Sequence, residues 1–390
     1  MKTSQDRILT THVGSLPRGK ALADLLVAKA NNEDFNTEAF EGAFKDALSD
    51  AISRQIEVGI DIGNDGEMPR TDFVSYISER MNGFGKTKGP QRGLPMDAKM
   101  FPVWFENIQK SGRRRINPYS LSQAIGPLSY EDTSGIQAEC DAFRDALADA
   151  DGEFTECFMT AVSPGFAATA LVNRYYENYE DYVFALARSL KIEYEFIVKR
   201  GYLLQIDSPD MGIERSGLFQ ANTLSEFVAA MEIHVTALNE ALENIPRDRV
   251  RFHACWGNRD GPHYHDVPCP DVLPVMYQVD AGALVLPFAN SRHSHEIEAF
   301  RDQPLPDHMS LVVGVVETTN NYVEHPQVVA ERLVRATKAV GDKTRIIAGT
   351  DCGFGTFAGD TFTAEDVVWA KLEGVIRGFL VEKGMDGFSA

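Results

Sequence analysis

The chain has 390 residues, with 57 Asp and Glu against 38 Lys and Arg, which gives a formal net charge of −19 at pH 7. Hydrophobic residues make up 44% of it, a share typical of globular proteins and too high for a disordered or fibrous chain. The acidity argues against a nucleic-acid partner, and because no stretch approaches the ~20 apolar residues that span a bilayer, we expect no membrane partner either.

Eight short apolar runs recur along the chain, and each ends at a turn-forming or polar residue. In chain order they are Ile8–Gly14, Gly59–Asp65, Phe154–Ser163, Tyr202–Asp207, Val250–Cys255, Ala283–Phe288, Ser310–Glu317 and Arg345–Asp351. Segments with helical periodicity lie between them, such as Tyr182–Arg200, Leu224–Asn244 and Val328–Val340. Strands that alternate with helices predict parallel β-structure, and eight such units predict an α/β fold, a (β/α)8 TIM barrel.

A barrel of this kind needs about 250 residues, so the chain has room for insertions. We predict one domain over residues 1–390 with a rim insertion at Gly85–Asp151, which contains the strand-like segment Ile116–Tyr130. An open doubly wound sheet is the competing architecture. It would need a glycine-rich phosphate loop after the first strand, and Gly14–Pro17 does not supply one.

The cysteines bear on the cellular compartment. They are five and scattered, at positions 140, 157, 255, 269 and 352, which does not fit a disulfide framework. The polar start, Met1–Arg7, runs into an apolar segment too short for a secretion signal. We therefore expect a reduced, cytoplasmic protein; the oligomeric state is left open.

In a barrel, functional side chains lie where the strands end. The strand ends carry His12, Ser15, Asp65, Glu67, Ser163, Asp207, His253, Cys255, Pro287, Glu317, Asp351 and Cys352. His253 and Cys255 are two residues apart and would face the same side of a strand. With Cys352 they form a three-ligand set suited to zinc that leaves one position open, as in catalytic sites. The alternative is that the thiols are merely small buried hydrophobes.

Five motifs resemble the catalytic C-terminal barrel of the cobalamin-independent methionine synthase family. They are Thr11–Arg18, Asp65–Glu67, Gln205–Pro209, His253–Cys255 and Thr350–Gly353, and the resemblance runs in order from about residue 8 to residue 357. Full-length enzymes of that family carry two barrels, and this chain has room for one. It resembles the short, single-barrel branch that includes epoxyalkane:coenzyme M transferase, which Gly261–Pro268 and Asn321–Pro326 also resemble.

The resemblance implies a zinc-dependent S-methyltransferase that transfers a methyl group to the thiol of homocysteine. It assigns His253, Cys255 and Cys352 to the zinc cofactor and to catalysis. Glu67 and Asp207 would hold the ammonium of homocysteine, and Ser15 would receive its carboxylate. Two carboxylates at strand ends suit an ammonium group, although such residues also cap helices and brace loops.

The chain departs from the family at two positions. The fourth zinc ligand of the family is a glutamate, and the aligned residue here is Pro287, which cannot bind metal. Water, Glu317 or Asp351 would have to take its place, or the zinc would be weakly bound. The position of a catalytic histidine that helps protonate a methyl-folate leaving group is Thr319 here. The methyl or alkyl donor is therefore open, with folate one of the candidates.

Three alternatives remain from the sequence: alkylation of a different thiol, as in the coenzyme M reaction; a repurposed barrel with weakened zinc; and a zinc hydrolase that uses His253 and His12. A sulfonate thiol would require Arg or Lys, and Arg18, Arg70 and Arg292 are near the rim. Retention of both Glu67 and Asp207 favours an amino-acid thiol. Two further histidine pairs, His263 with His265 and His293 with His295, are interpreted as residues of solvated loops.

Overall fold

The computed structural model describes residues 1–31, 33–86, 93–111, 116, 122–360 and 362–385. Ten strands occur in these residues, and the eight that were predicted from the sequence all form the central sheet. The strands are β1 (Leu9–Thr10), β2 (Ile62–Gly63), β3 (Asn82–Gly85), β4 (Gln123–Ser129), β5 (Glu156–Val162), β6 (Leu203–Asp207), β7 (Val250–His253), β8 (Ala283–Leu286), β9 (Ser310–Val316) and β10 (Ile346–Thr350).

The central strands are parallel and run in the order β1-β10-β9-β8-β7-β6-β5-β2. An isolated parallel bridge between Thr11 and Ile62 joins β1 to β2 and completes the ring. The predicted (β/α)8 barrel is thereby confirmed. Because all strands point the same way, the residues that follow them meet at one end of the barrel.

Fourteen α-helices surround the barrel or lie at its rim in the described residues. They are α1 (Lys20–Asn31), α2 (Thr37–Val58), α3 (Ile77–Arg80), α4 (Met96–Met100), α5 (Pro102–Lys110), α6 (Ser134–Asp149), α7 (Pro164–Ala170), α8 (Tyr179–Lys199), α9 (Asp210–Ile213), α10 (Leu224–Leu242), α11 (Cys269–Met276), α12 (Ala299–Asp302), α13 (Pro326–Val340) and α14 (Glu365–Met385). The three predicted helices correspond to α8, α10 and α13. Local capping explains their ends: Thr223 and Glu226 form a reciprocal capping box at α10, and Gly341 ends α13 at φ 84°.

The region predicted as an insertion contains β4 and the helices α4, α5 and α6, and β4 pairs antiparallel with β3, whose last residue is the first of the region. The strand-like segment Ile116–Tyr130 contains β4, and its residues 117–121 lie outside the described residues. The basic cluster Arg113–Arg115 also lies outside them. The division into one domain with an insertion at Gly85–Asp151 stays a prediction.

The core has two parts that follow from strand alternation. Along β8, Leu284 and Leu286 pack outward against the helices, while Ala283 and Val285 pack inside the barrel. Arg251 is also buried inside, where its guanidinium lies 4.0 Å from the centroid of the Phe158 ring. Among the described helices, none combines the length and apolar character that a membrane span requires. All five cysteines are free thiols.

Candidate active site

One cavity of about 570 Å³ lies at the carboxyl ends of the strands. Its lining includes all six side chains that were predicted to bind metal or substrate, namely Ser15, Glu67, Asp207, His253, Cys255 and Cys352. They follow five different strands, so no local stretch of sequence could form this site alone. Barrel closure brings them together.

Three of these residues form a compact donor group. One ring nitrogen of His253 and the sulfur atoms of Cys255 and Cys352 all lie within 4.8 Å of one another. His253 ends β7, Cys255 follows two residues later, and Cys352 comes after β10. Two thiols and an imidazole at this spacing are typical ligands of zinc. No carboxylate of the described residues joins the group.

The imidazole of His253 is oriented by Asp207. Its Nδ1 lies 2.9 Å from Oδ1 of Asp207, and Nε2 of Gln205 donates to the same oxygen at 2.9 Å. Nε2 of His253 is buried and has no hydrogen-bond partner. An unsatisfied buried nitrogen is costly, and metal-binding histidines commonly hold a carboxylate with their other nitrogen. The residues present therefore fit a metal ion.

The three members of the donor group shift one another's pKa values. Burial opposes the charged imidazole, but the hydrogen bond with Asp207 and the proximity of the Cys255 thiol raise the pKa of His253 to about 10. The hydrogen bond from Cys352, aided by His253, holds the pKa of Cys255 well below its ordinary value, and the pKa of Cys352 rises accordingly. The site thus favours a positive charge beside a thiolate, which is the environment that a bound metal ion meets.

Glu67 reaches the same cavity in a strained backbone conformation. Its φ is 56°, and the conformation is held by Arg18, which donates to the carbonyl of Glu67 at 2.9 Å, and by Asp65, which accepts from its N–H at 3.0 Å. Oε1 accepts from the hydroxyl of Thr160 at 3.0 Å, whereas Oε2 is buried without a partner. Burial and the nearby charge of Asp207 raise the pKa of Glu67 to about 7.

Ser15 lies beside the metal-ligand candidate Cys352 because β1 and β10 are neighbours. Its hydroxyl oxygen accepts from the N–H of Gly355 at 3.3 Å. Residue 353 has to be glycine, since a Cβ there would lie 2.1 Å from Oγ of Ser15. The loop after β10 therefore fits closely around Ser15.

Aromatic side chains form part of the remaining cavity wall, which also includes aliphatic residues and the polar side chains of Asn258 and Arg259. Phe73 and Phe166 stack with their centroids 5.2 Å apart, and Phe357 meets Phe73 edge-on. Trp104 on α5 also lines the cavity, and its indole N–H donates to the carbonyl of Asp260 at 3.1 Å. The cavity thus combines a polar end at the donor group with an apolar end under the rim helices.

A second, more polar cavity of about 430 Å³ lies on the other side of Cys255 and Cys352. Pro287, Glu317 and Asp351 line it, so position 287 borders the same space as the two thiols. The carboxylate of Asp351 accepts from the N–H groups of Ala289 and Asn290 at 2.7 and 2.8 Å, and the side chains of Thr319 and Asn320 donate to Glu317. Both carboxylates are already engaged by the chain.

Three strand-end residues have structural contacts instead of a place in the lining of the larger cavity. His12 lies 2.8 Å from Gln55 through Nε2 and accepts from the N–H of Gly14, and burial lowers its pKa to about 4. The side chain of Ser163 caps the N-terminus of α7, and Oδ1 of Asp65 accepts a hydrogen bond from the N–H of Glu67. His12 therefore does not serve the hydrolase alternative, in which it would join His253 on a metal ion.

The arginines near the rim are likewise engaged or displaced. Arg18 is buried and donates to the carbonyls of Glu67 and Gly355, while Arg70 is paired with Glu139. Arg292 is exposed and lines the second cavity. None of the three lines the larger cavity, where a sulfonate thiol would have to bind beside the donor group; Arg259 does line it, and its Nη2 donates to Oδ2 of Asp97 at 2.9 Å.

The pairs His263 with His265 and His293 with His295 were interpreted as residues of solvated loops. This interpretation is wrong for His293. It is 4% exposed, stacks on Trp256 with centroids 4.6 Å apart, and lies 2.9 Å from Oδ2 of Asp266. His263 lies 3.0 Å from the same oxygen. Contacts with Asp266 and Glu296, which outweigh burial, raise the pKa of His293 to about 9. These histidines brace the loop after β7.

Three further residues at the site, Thr160, Asn258 and Trp104, were not predicted from the sequence. Thr160 is the one polar residue in the buried part of β5, Phe158–Val162, which is a signal that could have been noticed. Asn258 lines both cavities and donates to the carbonyl of Gly353 at 2.7 Å. Trp104 lies in the rim region, where no strand end marks a position as functional.

Comparisons with known proteins show which family the chain is similar to. The family model described as the catalytic domain of cobalamin-independent synthase matches residues 8–93. A methionine synthase of Saccharolobus solfataricus is 23% identical over 376 residues, which cover 95% of this chain and 93% of that protein. A methionine synthase of Thermococcus kodakarensis is 26% identical over 292 residues, covering 74% of this chain and 70% of that protein.

Solved structures agree with the fold. A B12-independent methionine synthase from Shewanella sp. W3-18-1, determined with selenomethionine, superposes with a TM-score of 0.69 at 20% identity, over 98% of this chain and 100% of that chain. A putative vitamin-B12 independent methionine synthase from Listeria monocytogenes gives 0.64 at 16% identity, over 96% and 99%. The chain is similar to the cobalamin-independent methionine synthases in sequence and in fold, as its motifs predict.

Proposed function

We propose that this protein is a zinc-dependent S-methyltransferase that transfers a methyl group to the thiol of homocysteine. The observation that carries the proposal is the single cavity in which His253, Cys255 and Cys352 lie together with Ser15 and the two carboxylates. The named relatives are methionine synthases and support the same reaction.

The metal would be held by His253 through Nε2 and by the sulfur atoms of Cys255 and Cys352. Zinc bound there would lower the pKa of an entering thiol and so supply a thiolate at neutral pH. Asp207 keeps the imidazole in the orientation that leaves Nε2 for the metal. A fourth ligand is not provided at Pro287, and we propose water in its place, because Glu317 and Asp351 are engaged by other groups.

The amino-acid end of the substrate would lie between Glu67 and Asp207. Each carboxylate gives one oxygen to protein donors: Oε1 of Glu67 accepts from Thr160, and Oδ1 of Asp207 accepts from Gln205 and pairs with His253. Oε2 of Glu67 remains buried without a partner. An ammonium group has three donors and would satisfy such oxygens, while Ser15 is placed to donate to the substrate carboxylate.

The reaction would join the substrate sulfur to the methyl carbon as the bond between that carbon and the donor breaks. The bonding electron pair leaves with the donor, and the thiol proton is released before attack. The protein would hold the substrate sulfur near His253, Cys255 and Cys352. It would hold the methyl carrier in the aromatic end of the cavity. Both a methyl-folate and a smaller methyl carrier are compatible with that apolar wall.

The test is a reaction screen on zinc-loaded protein. Homocysteine and coenzyme M are each offered with a methyl-folate, smaller methyl carriers and an epoxide, and products are measured by mass spectrometry. We expect methionine from homocysteine and no alkylated coenzyme M. Alkylation of coenzyme M alone would replace the proposal with the sulfonate-thiol reaction. Absence of bound zinc together with absence of any thiol product would favour a repurposed barrel.

A further inference from the structure

Glu67 does not act alone at the substrate end of the cavity. Its Oε1 accepts a hydrogen bond from the hydroxyl of Thr160 on β5 at 3.0 Å, and Thr160 is 1% exposed. The same hydroxyl oxygen receives a hydrogen bond from the guanidinium of Arg70, whose NH1 lies 3.0 Å away. The carboxylate of Glu67, the hydroxyl of Thr160 and the guanidinium of Arg70 thus form a buried series of hydrogen bonds that begins at the cavity wall.

Arg70 fixes the donor and acceptor roles in this series of hydrogen bonds. A guanidinium can only donate, so it occupies a lone pair of the Thr160 hydroxyl and leaves the proton to point at Glu67. Arg70 is itself immobile: it is 2% exposed, donates to the carbonyl of Thr160 at 2.9 Å and forms an ion pair with Glu139 at 2.8 Å. The hydroxyl therefore cannot turn away without breaking a buried contact.

The consequence falls on the two oxygens of Glu67. Oε1 is committed to Thr160, and Oε2 is the buried oxygen that has no partner. Close packing supports this orientation, since a Cβ on Gly14 would lie 2.8 Å from Oε1 and 2.7 Å from Cγ2 of Thr160. The carboxylate is held with one face against β1 and β5 and the other toward the cavity.

We infer that Thr160 is a positioning residue for the amino group of the substrate: oriented by Arg70, its hydroxyl holds Glu67 so that Oε2 meets a ligand ammonium. The inference rests on the proposed function, because it names the contact by which an amino-acid thiol is distinguished from a thiol acid without an amino group. Thr160 itself touches no substrate in this arrangement.

The test compares binding of two thiols by isothermal titration to zinc-loaded protein: homocysteine, and desamino homocysteine, which lacks only the amino group. Thr160→Val keeps the β-branched shape in β5 and removes the hydroxyl. Because a hydrogen bond to a charged group is at stake, we expect homocysteine to bind about ten- to hundredfold more weakly. Binding of desamino homocysteine and the zinc content should not change, KM should rise more than kcat falls, and Thr160→Ser should restore binding.

The matched control is Thr10→Val. The hydroxyl of Thr10 also donates to a buried carboxylate, that of Asp61 at 2.9 Å, but neither residue lines the cavity. This variant should bind both thiols as the unmodified protein does. If Thr160→Val weakened the binding of both thiols equally, or left homocysteine binding unchanged, the inference would be overturned while the proposed function would stand. Failure of the unmodified protein to bind homocysteine would overturn both.

Discussion

Oδ1 of Asp207 lies 2.9 Å from Nδ1 of His253, and this contact makes Nε2 the ring nitrogen that is left without a partner. Asp207 thus serves the metal-ligand candidate on one side and the substrate cavity on the other. Asp207→Asn keeps the shape but removes the charge that supports the imidazole. We expect zinc affinity, measured without substrate by chelator competition, to fall about 10- to 100-fold.

The control for this prediction is Glu67→Gln. It removes the other carboxylate of the same cavity, but Glu67 has no hydrogen bond to a member of the donor group. Zinc affinity should be unchanged in this variant. If Asp207→Asn also keeps full affinity, the orientation of His253 does not depend on the carboxylate.

Removal of either thiol tests the ligand set directly. Cys255→Ser and Cys352→Ser should each lose most of their bound zinc, measured by elemental analysis after dialysis, because the softer thiolate ligand is replaced by a hydroxyl. Cys140 is buried in α6 beside Met159, away from the site, and Cys140→Ser should retain zinc. Full zinc content in all three variants would contradict the assignment.

Pro287 tests the departure from the family. It borders the cavity that also contacts Cys255 and Cys352, so Pro287→Glu would bring a carboxylate to the thiols from that side. We expect tighter zinc binding in a chelator competition. Pro287→Gln has the same length without the charge and separates ligation from the removal of a proline; equal affinity in the glutamate and glutamine variants would show that position 287 does not reach the metal.

The raised pKa of Glu67 gives a pH dependence of recognition. Burial and the charge of Asp207 raise this pKa to about 7, and an ammonium group binds the ionised carboxylate. As the pH falls from about 8 to about 6, the ionised fraction drops about tenfold, so the affinity for homocysteine relative to desamino homocysteine should drop by the same factor. The ratio cancels the titration of the thiol and the metal site. A flat ratio would mean that Glu67 does not hold the ammonium.

Glu139 forms buried ion pairs with Arg70 and with Arg80, the last residue of α3. We expect these pairs to dominate the change in stability of this side of the barrel in acid. Although burial opposes its charged form, Arg70 and Arg80 lower the pKa of Glu139 to about 2. Its stabilising contribution is therefore present above the usual carboxylate pKa of about 4.5 and is lost as the pH falls toward about 2. Glu139→Gln should cost about 3–5 kcal/mol in urea unfolding at neutral pH, with the difference narrowing in acid.

An exposed pair supplies the comparison. Glu106 and Lys110 form an ion pair on the surface of α5, and Glu106→Gln should change the free energy of unfolding by less than about 1 kcal/mol. Similar losses in the two variants would indicate that burial of the Glu139 network adds nothing to its stabilising effect.

The barrel could be predicted because its signal is local: each strand is a short apolar run, and each candidate site residue directly follows one. The hydrogen bonds that link Thr160 to Glu67 and Arg70 could not be predicted in this way. Arg70 is a sequence neighbour of Glu67, but Thr160 is distant in sequence from both, and the parallel pairing of β5 with β2 places it beside them. The burial of His293 was missed for the same reason, since its neighbours Trp256 and Asp266 come from another loop.

The ring of strands closes because β1 pairs with β10 and bridges to β2, so the first and last strands of the barrel are neighbours. The donor group spans His253 to Cys352, and Ser15 packs against the loop that follows β10. The donor group therefore forms only after the residues up to Cys352 have been synthesised and the barrel has closed. Metal binding at the proposed site would then report barrel closure, and a chain truncated before Cys352 would lack one of the three proposed ligands.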